Sequence, residues 1–205
     1  EQGLPHAVLS EKEIFQILEK PNLNHDPLNL RDKAMLEVLF SSGIRPNELC
    51  SLNIEDINHN DELVRVNAPK GGANYQRVVP VGKVALQYVN HYLEKARPVI
   101  QNGDPKALFV SCRGHRITRD ALLYIVKRYA SECGIRKNIS THSFRVTCAT
   151  LMLRNGADIR HVQEQLGHRA ITSTQIYTRL TPLDLKGVHT RCHPREKRAL
   201  LQLKS

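Results

Sequence analysis

The stretch Thr141–Thr178 decides the fold, and it reads THSFRVTCATLMLRNGADIRHVQEQLGHRAITSTQIYT. Its first half presents a broad apolar surface and ends at Gly156, a residue type that commonly stops a helix. Its second half starts at Asp158, a good helix cap, and repeats apolar residues at three- and four-residue spacing up to Gly167. The stretch therefore predicts two consecutive helices followed by a polar segment.

Three polar motifs lie around these two helices. His142 and Arg145 are one helical turn apart, so both side chains can point at one ligand. Leu166-Gly167-His168 turns the chain after the second helix and presents a histidine, and Tyr177 follows in a polar segment. Each motif alone is commonplace, as a surface pair, a helix cap or a packed tyrosine. Their order along the chain is much more specific.

A further motif upstream, Ser42–Leu49, reads SGIRPNEL and places Arg45 between a helix-ending glycine and a helix-starting proline. Together with the three motifs above it resembles the tyrosine recombinases, the family of phage integrases and Xer-type recombinases. The resemblance extends from about Leu9 to about Tyr177. It implies the tyrosine recombinase catalytic-domain fold, which is mainly α-helical with a small antiparallel β-sheet (α+β).

The periodicity of the remaining sequence predicts the same fold class. The predicted helices are one capped by Ser10, Leu28–Ser41, a short one started by Pro46, Gly82–Ala96 and one capped by Thr118. The predicted strands are Ile54–Ile57, Glu62–Asn67 and Tyr75–Val81, with Pro69–Asn74 as a hairpin tip. We expect residues 1–9 to be a linker remnant, 10–181 the catalytic domain, and 182–205 a helical tail that belongs to this domain or is exchanged between domains.

Composition restricts the class of partner. The 30 Lys and Arg residues exceed the 20 Asp and Glu residues, giving a net charge of +10 and an isoelectric point near 9.6. Such an excess favours polyanions, above all nucleic acid. The five cysteines are scattered without C-x-x-C spacing, which fits a reducing cytoplasm better than a disulfide framework or a zinc site. The sequence contains no apolar run long enough to span a bilayer and no signal peptide, so we expect a cytoplasmic protein without a membrane partner.

Cleavage of a phosphodiester needs a nucleophile, positive charge on the non-bridging oxygens, and a proton for the leaving oxygen. The sequence has no carboxylate cluster that would hold catalytic cations, no H-E-x-x-H motif and no Walker loop. The charge must then come from side chains, and arginine is well suited because its guanidinium binds phosphate as a fork. No metal ion or nucleotide cofactor is expected.

The resemblance implies a role for each residue of the phosphate site. Arg45 matches the family's first catalytic arginine, and Arg145 the second. Glu48, one turn after Arg45, is in a position to orient it. His168 matches the histidine that donates a hydrogen bond to the scissile phosphate. The alternative for Arg45 is an ordinary surface residue after a helix-ending glycine, and the alternative for Glu48 is an ordinary carboxylate on a helix surface.

The resemblance also implies the proton-transfer groups. Tyr177 matches the nucleophile, and His142 the histidine that accepts or relays its proton. Lys70, in the hairpin tip, matches the mobile lysine that protonates the 5′-oxygen, although the tip is about two residues longer than is common in the family. A solvated turn lysine is the alternative for Lys70, and Lys83 is the fallback acid.

The sequence departs from the family pattern at two positions, Val146 and Cys148, and we expect the latter to be core packing. The cluster His189-Cys192-His193 fits no standard zinc spacing. The segment Pro194–Leu203 is short and carries leucines that need a partner surface. We expect it to dock on a neighbouring protomer, with docking on its own domain as the alternative.

The expected activity is that of a site-specific DNA recombinase or integrase that cleaves and rejoins strands through a covalent 3′-phosphotyrosine. Its expected partners are a double-stranded DNA recombination site and further copies of the chain, as a tetramer on DNA. The two alternatives are an enzyme that relaxes DNA like a type IB topoisomerase and a catalytically inactive DNA-binding regulator.

Overall fold

The computed structural model describes residues 7–23, 26–67, 76–167 and 182–196. Its helices are α1 (Glu11–Glu19), α2 (Pro27–Ser42), α3 (Pro46–Ser51), α4 (Lys83–His91), α5 (Arg97–Ile100), α6 (Arg119–Glu132), α7 (Thr141–Arg154), α8 (Ile159–Leu166) and α9 (Pro182–Cys192). A π-helical turn, Tyr92–Ala96, joins α4 to α5. The strands are β1 (Ile57–Asn58), β2 (Leu63–Asn67) and β3 (Gln76–Pro80). The predicted α+β class, mainly helical with one small antiparallel sheet, is confirmed. None of the described helices combines the length and the apolar character needed to cross a bilayer.

Helix α2 forms the axis of the core. Asp26 caps its first turn, and Gly43 ends it with a positive φ of 63°, a conformation that glycine adopts without strain. All its residues from Arg31 to Ser42 are buried, including four charged ones. The charges are tolerated because they are paired, Arg31 with Asp32 at 2.6 Å and Lys33 with Glu37 at 3.0 Å.

The sheet is an antiparallel meander in the order β1-β2-β3. Val64 lies opposite Val79 and Val66 opposite Arg77, so these four side chains share one face of the hairpin. The three valines are fully buried, which makes this the inner face. The third strand expected at Ile54–Ile57 is a 3-10 turn over Ile54–Asp56, and pairing begins only at Ile57. Residues 68–75, which include the whole predicted tip Pro69–Asn74, lie outside the described residues.

Helices α7 and α8 confirm the two helices predicted from the sequence around Thr141. The side chain of Asp158 accepts a hydrogen bond from the N–H of Arg160, and Gly167 ends α8 with a φ of 65°. Leu9 is buried in the core and its N–H donates to Thr147 Oγ1 at 2.9 Å. Leu9, the last residue of the segment that we expect to be a linker, therefore packs against the core.

The described part of the C-terminal tail packs on α2 of the same chain. His189 Nε2 lies 2.7 Å from the Ser41 carbonyl oxygen, and His193 Nε2 lies 3.2 Å from that of Phe40. The two imidazole rings stack 4.7 Å apart. Arg195 then pairs with the buried Glu37 at 2.7 Å. Residues 197–205, which hold the leucines expected to dock on a neighbour, lie outside the described residues.

Candidate functional site

Arg45 lies in the short turn between helices α2 and α3. Gly43 stops α2 and Pro46 starts α3, and Arg45 stands between them in an extended conformation. Its side chain remains 43% exposed, yet Glu48 holds it at two points. One carboxylate oxygen of Glu48 accepts the Arg45 backbone N–H at 2.7 Å, and the other accepts the guanidinium at 3.1 Å. The position of Arg45 is thus fixed while one side stays open to solvent.

Arg145 lies on α7, one turn after the half-buried His142, and its guanidinium is buried. It donates to the Gly43 carbonyl oxygen at 2.7 Å and to the Leu166 carbonyl oxygen at 2.6 Å. Burial, and next the positive charge of Arg45, lower the pKa of Arg145 to about 10. Arg145 therefore stays charged at neutral pH and connects the end of α2 to the end of α8.

The two arginines meet at the end of α8. Arg45 donates to the Gly167 carbonyl oxygen at 3.4 Å, next in the chain to the Leu166 oxygen that Arg145 binds. His168 follows Gly167 directly in the sequence. His168, Lys70 and Tyr177 themselves lie outside the described residues.

Arg77 on β3 is a site residue that the sequence analysis did not single out. Its two terminal nitrogens donate to the two carboxylate oxygens of Glu48 at 2.7 and 2.8 Å, and its side chain is only 10% exposed. The alternation of inward and outward side chains along β3 could have identified Arg77 from the sequence. Val79 faces inward and Val78 outward, so Arg77 occupies an inward position where an apolar residue is expected.

Glu48 is buried and accepts hydrogen bonds from two arginines. Burial alone would raise the pKa of Glu48, but the hydrogen bond from Arg77, the backbone N–H of Arg45 and both guanidinium charges lower it below its ordinary value. Glu48 is therefore ionised at neutral pH. Arg45, Arg77 and Arg145 carry three positive charges against this one negative charge. The surplus of two makes an anion site that is open on the Arg45 side.

The two departures from the family pattern both lie on α7. Cys148 is fully buried, and burial raises the pKa of its thiol to about 12. A Cβ at Gly43 would lie 3.4 Å from Cys148 Sγ and 2.9 Å from Leu166 Cδ2, so the three residues are closely packed. The prediction that Cys148 belongs to the core is confirmed. Val146 is half-buried.

The strand register separates the two ends of the β2–β3 ladder. The ladder runs from Leu63 opposite Pro80 to Asn67 opposite Gln76, and Arg77 stands beside this second end. Lys83 follows the first end, is largely exposed and pairs with Glu62 at 3.8 Å. The ladder has four steps of about 3.3 Å each, so it separates the two ends by roughly 13 Å.

Within the ranges that the structure describes, no three His, Cys, Asp or Glu side chains form a group that could hold a metal ion. The two histidines of the His189-Cys192-His193 cluster each bond to a backbone carbonyl oxygen of α2 instead.

Comparison with known proteins identifies the family of the chain. The family model described as the phage integrase family matches residues 7–183, and the chain belongs to this family. Tyrosine recombinase XerD of Lacticaseibacillus casei is 40% identical over 195 residues, which cover 95% of this chain and 65% of that protein. This chain thus spans slightly less than two thirds of that relative.

Solved structures show the same fold. The crystal structure of XerA recombinase matches with a TM-score of 0.71 and 25% identity, over 100% of this chain and 66% of that one. The lambda integrase tetramer bound to a Holliday junction matches with a TM-score of 0.60 and 20% identity, over 86% of this chain and 51% of that one.

Proposed function

We propose that this chain is the catalytic part of a site-specific DNA recombinase that cleaves and rejoins strands through a covalent 3′-phosphotyrosine at Tyr177. One observation carries the proposal: Arg45 and Arg145, a hundred residues apart in the sequence, bind consecutive carbonyl oxygens directly before His168. Two fixed guanidiniums with a surplus of positive charge suit the non-bridging oxygens of a phosphodiester.

In the proposed reaction, the Tyr177 oxygen attacks the phosphorus and the bond from phosphorus to the 5′-oxygen breaks. The tyrosine proton passes to His142, and the leaving 5′-oxygen takes a proton from Lys70. The charge that develops on the phosphate is stabilised by Arg45, Arg145 and His168. One phosphoester replaces another, so attack by the 5′-hydroxyl of a partner strand reverses the step and releases Tyr177 without an energy source.

The hairpin register favours Lys70 over Lys83 as the acid. Lys70 follows Asn67 by three residues, and Asn67 ends β2 beside Arg77 and the Glu48 site. Lys83 is close to Glu62, at the other end of the ladder. An acid must lie within hydrogen-bond reach of the oxygen that it protonates, which argues for the lysine from the Arg77 end.

The partners proposed are a double-stranded DNA site and further copies of the chain. The net charge of +10 fits DNA. The lambda integrase in the comparison is a tetramer bound to a Holliday junction, and we propose the same stoichiometry here. A cytoplasmic location belongs to the same proposal, since all five cysteines are free thiols.

The test is covalent trapping on DNA that carries a candidate site with a nick next to the scissile phosphate. Cleavage then releases a short fragment that cannot religate, so a covalent complex accumulates. We expect a denaturant-resistant protein–DNA adduct from the wild type and none from Tyr177→Phe, which lacks the nucleophilic oxygen. Tyr124→Phe is the matched control, because Tyr124 is an exposed tyrosine on α6.

Two results would count against the proposal. An adduct of normal yield from Tyr177→Phe removes the assignment of the nucleophile. A protein that relaxes supercoiled DNA but never joins strands from two duplexes acts like a type IB topoisomerase rather than a recombinase.

A further inference from the structure

We propose that Arg77 is a positioning residue of the strand-cleavage site: it fixes the carboxylate of Glu48, and through it the phosphate-binding guanidinium of Arg45. This inference rests on the proposed function, because the effect of replacing Arg77 is measured as a change in the rate of DNA cleavage. It adds a residue of strand β3 to Arg45, Glu48 and Arg145, which come from helices α3 and α7 and the turn before α3.

The contact between Arg77 and Glu48 is a complete bidentate pair. Both terminal nitrogens of Arg77 are used, at 2.7 and 2.8 Å from the two oxygens of Glu48. A fork of this kind fixes the plane of the carboxylate as well as its distance, which a single hydrogen bond from a lysine cannot do. Both partners are at least nine-tenths buried, so solvent screens the pair little.

The same two oxygens of Glu48 hold Arg45. The oxygen that accepts Arg77 Nη1 also accepts Arg45 Nη1 at 3.1 Å, and the oxygen that accepts Arg77 Nη2 also accepts the Arg45 N–H at 2.7 Å. A rotation of the carboxylate would therefore move Arg45, while Arg145 is held separately by two carbonyl oxygens. Arg77 thus acts on one of the two phosphate-binding arginines.

Arg77 also lies against the end of α8. A Cβ at Gly167 would stand 2.7 Å from Arg77 Nε and 3.0 Å from its Cδ, so the guanidinium lies directly on the glycine backbone. The buried Nε donates no hydrogen bond to any residue of the described ranges. Glycine is required here for two reasons, its φ of 65° and this close approach. Arg77 consequently connects the hairpin, the start of α3 and the residue that precedes His168.

A charged residue at this inner position is not explained by folding alone. Its neighbours on the same face, Val64, Val66 and Val79, are fully buried, and an apolar side chain would continue that face. Replacing a buried ion pair by apolar residues is often neutral or stabilising. A structural role therefore predicts that replacing Arg77 mainly lowers the midpoint of urea unfolding, whereas a positioning role predicts that it mainly lowers the cleavage rate.

The experiment measures single-turnover cleavage of nicked site DNA at saturating DNA, together with DNA affinity and the midpoint of urea unfolding. Displacing a phosphate-binding group by about 1 Å costs roughly a hundredfold in rate. We therefore expect R77Q and E48Q each to cleave roughly a hundredfold more slowly, and the double variant to be no slower than either, because both changes disrupt the same arrangement. R77K should recover little, since an ammonium cannot bind both oxygens in a fork.

The matched control is R65Q. Arg65 is the neighbouring arginine of the same hairpin, on its outer face, and it also pairs with a buried carboxylate, that of Asp56 at 3.3 Å. R65Q should cleave at the wild-type rate. Cleavage by R77Q at the wild-type rate, or a loss in R77Q that R77K fully restores, would overturn the inference.

A second measurement separates this inference from the proposed function. The side-chain carboxyl of Glu48 is titrated by carbon-13 NMR in the free protein. Burial raises the pKa of Glu48. Among the contacts that lower this pKa, the hydrogen bond from Arg77 has the largest effect, larger than that of Arg45. The pKa should therefore rise in R77Q and stay low in R65Q, and the acid limb of the cleavage rate should move to higher pH in R77Q only.

An unchanged pKa of Glu48 in R77Q overturns the positioning role, whatever the result of the cleavage assay. A wild-type chain that forms no adduct overturns the proposed function. In that case the pKa of Glu48 in the free protein still tests whether Arg77 fixes the Glu48 carboxylate.

Discussion

Arg45 and Arg145 bind the consecutive carbonyl oxygens of Gly167 and Leu166, but they are held in different ways. Arg145 is buried and bridges two helix ends, whereas Arg45 is 43% exposed and is held by a carboxylate. We therefore expect the stability of the fold to depend more on Arg145 than on Arg45. Single alanine variants of the two arginines should therefore differ in their free energy of unfolding while both lose cleavage rate.

Arg145→Ala should lose both cleavage and stability. It leaves two buried carbonyl oxygens, of Gly43 and Leu166, without this donor, so we expect unfolding to become easier by roughly 2–4 kcal/mol. Arg45→Ala should change stability by less than about 1 kcal/mol, since Arg45 is partly exposed and Glu48 keeps Arg77.

Each variant should lose roughly a hundredfold to a thousandfold in cleavage rate, as expected for the loss of a charge that stabilises the transition state. Urea unfolding and single-turnover cleavage give the two quantities. Equal destabilisation by both variants would contradict the assignment of separate roles.

Lys70→Ala should cleave ordinary DNA slowly and cleave DNA with a 5′-bridging phosphorothiolate at nearly the wild-type rate. The sulfur of the modified DNA leaves without a proton, so an acid is no longer needed. Lys83→Ala is the matched control and should behave like the wild type on both substrates, because Lys83 lies beside Glu62. Rescue of Lys83→Ala instead would transfer the role of acid to Lys83, and equal slowing of Lys70→Ala on both DNAs would indicate a mere DNA contact.

Cleavage should persist in excess EDTA. In the proposed mechanism, guanidinium groups supply the charge that metal ions supply in many phosphoryl-transfer enzymes. The measurement is adduct formation on nicked DNA after dialysis against EDTA, with and without added magnesium. A strict requirement for magnesium would contradict the proposed mechanism.

Local signals in the sequence located the helices of the site correctly. Gly156, Asp158 and Gly167 delimit α7 and α8, and Gly43 and Pro46 delimit the turn that carries Arg45. Such signals act over one turn, so the sequence alone reveals them. The helix predicted to end at Ala96 continues instead to Ile100. Pro98 cannot donate to the carbonyl four residues before it, and a wider π-helical turn precedes it.

Contacts between distant segments were not predictable in this way. Helix α2 is buried on all sides from Arg31 to Ser42, and two of its charged residues are neutralised by partners from distant segments. Asp32 is bound by Arg128, and Glu37 by Arg195. The role of Arg77 belongs to the same class, since its partner Glu48 is 29 residues away. A sequence gives the charge at each position but not the partner that neutralises it.

Acidification should destabilise the docking of α9. Burial lowers the pKa of His189 from 6.5 to about 4, and that of His193 lies well below its ordinary value for the same reason. Both rings are therefore neutral in the fold, whereas the unfolded chain takes up protons below about pH 6.5. Stability is complete above that pH and falls as the pH decreases towards 4, by about 3 kcal/mol for His189 alone.

The charged side chains near the two rings are those of Glu62 and Arg195, which form ion pairs in the described ranges with Lys186 and Glu37, respectively. The backbone N–H of Arg195 donates to His193 Nδ1 at 3.3 Å. Urea unfolding between pH 7 and pH 4.5 measures the effect. His189→Gln keeps a donor for the Ser41 carbonyl oxygen and cannot titrate, so its slope should be shallower. His91→Gln, at an exposed histidine of α4, should keep the wild-type slope. A wild-type slope in His189→Gln would refute the assignment.

Truncation after Glu196 should leave the domain folded but weaken assembly on DNA. Arg195 pairs with the buried Glu37 and also with Glu19 at 3.4 Å, so a deletion that starts at Pro194 would remove part of the core. A deletion of residues 197–205 removes only the segment with Leu200, Leu201 and Leu203.

These leucines need a partner surface, and a segment this short forms no stable helix alone. If a neighbouring protomer provides that surface, the truncated chain should bind single sites as well as the full chain does. It should form fewer higher-order complexes on paired sites in analytical ultracentrifugation. Leu200→Ser with Leu201→Ser in the full chain should give the same loss, and equal assembly by all three proteins would place the segment on its own domain.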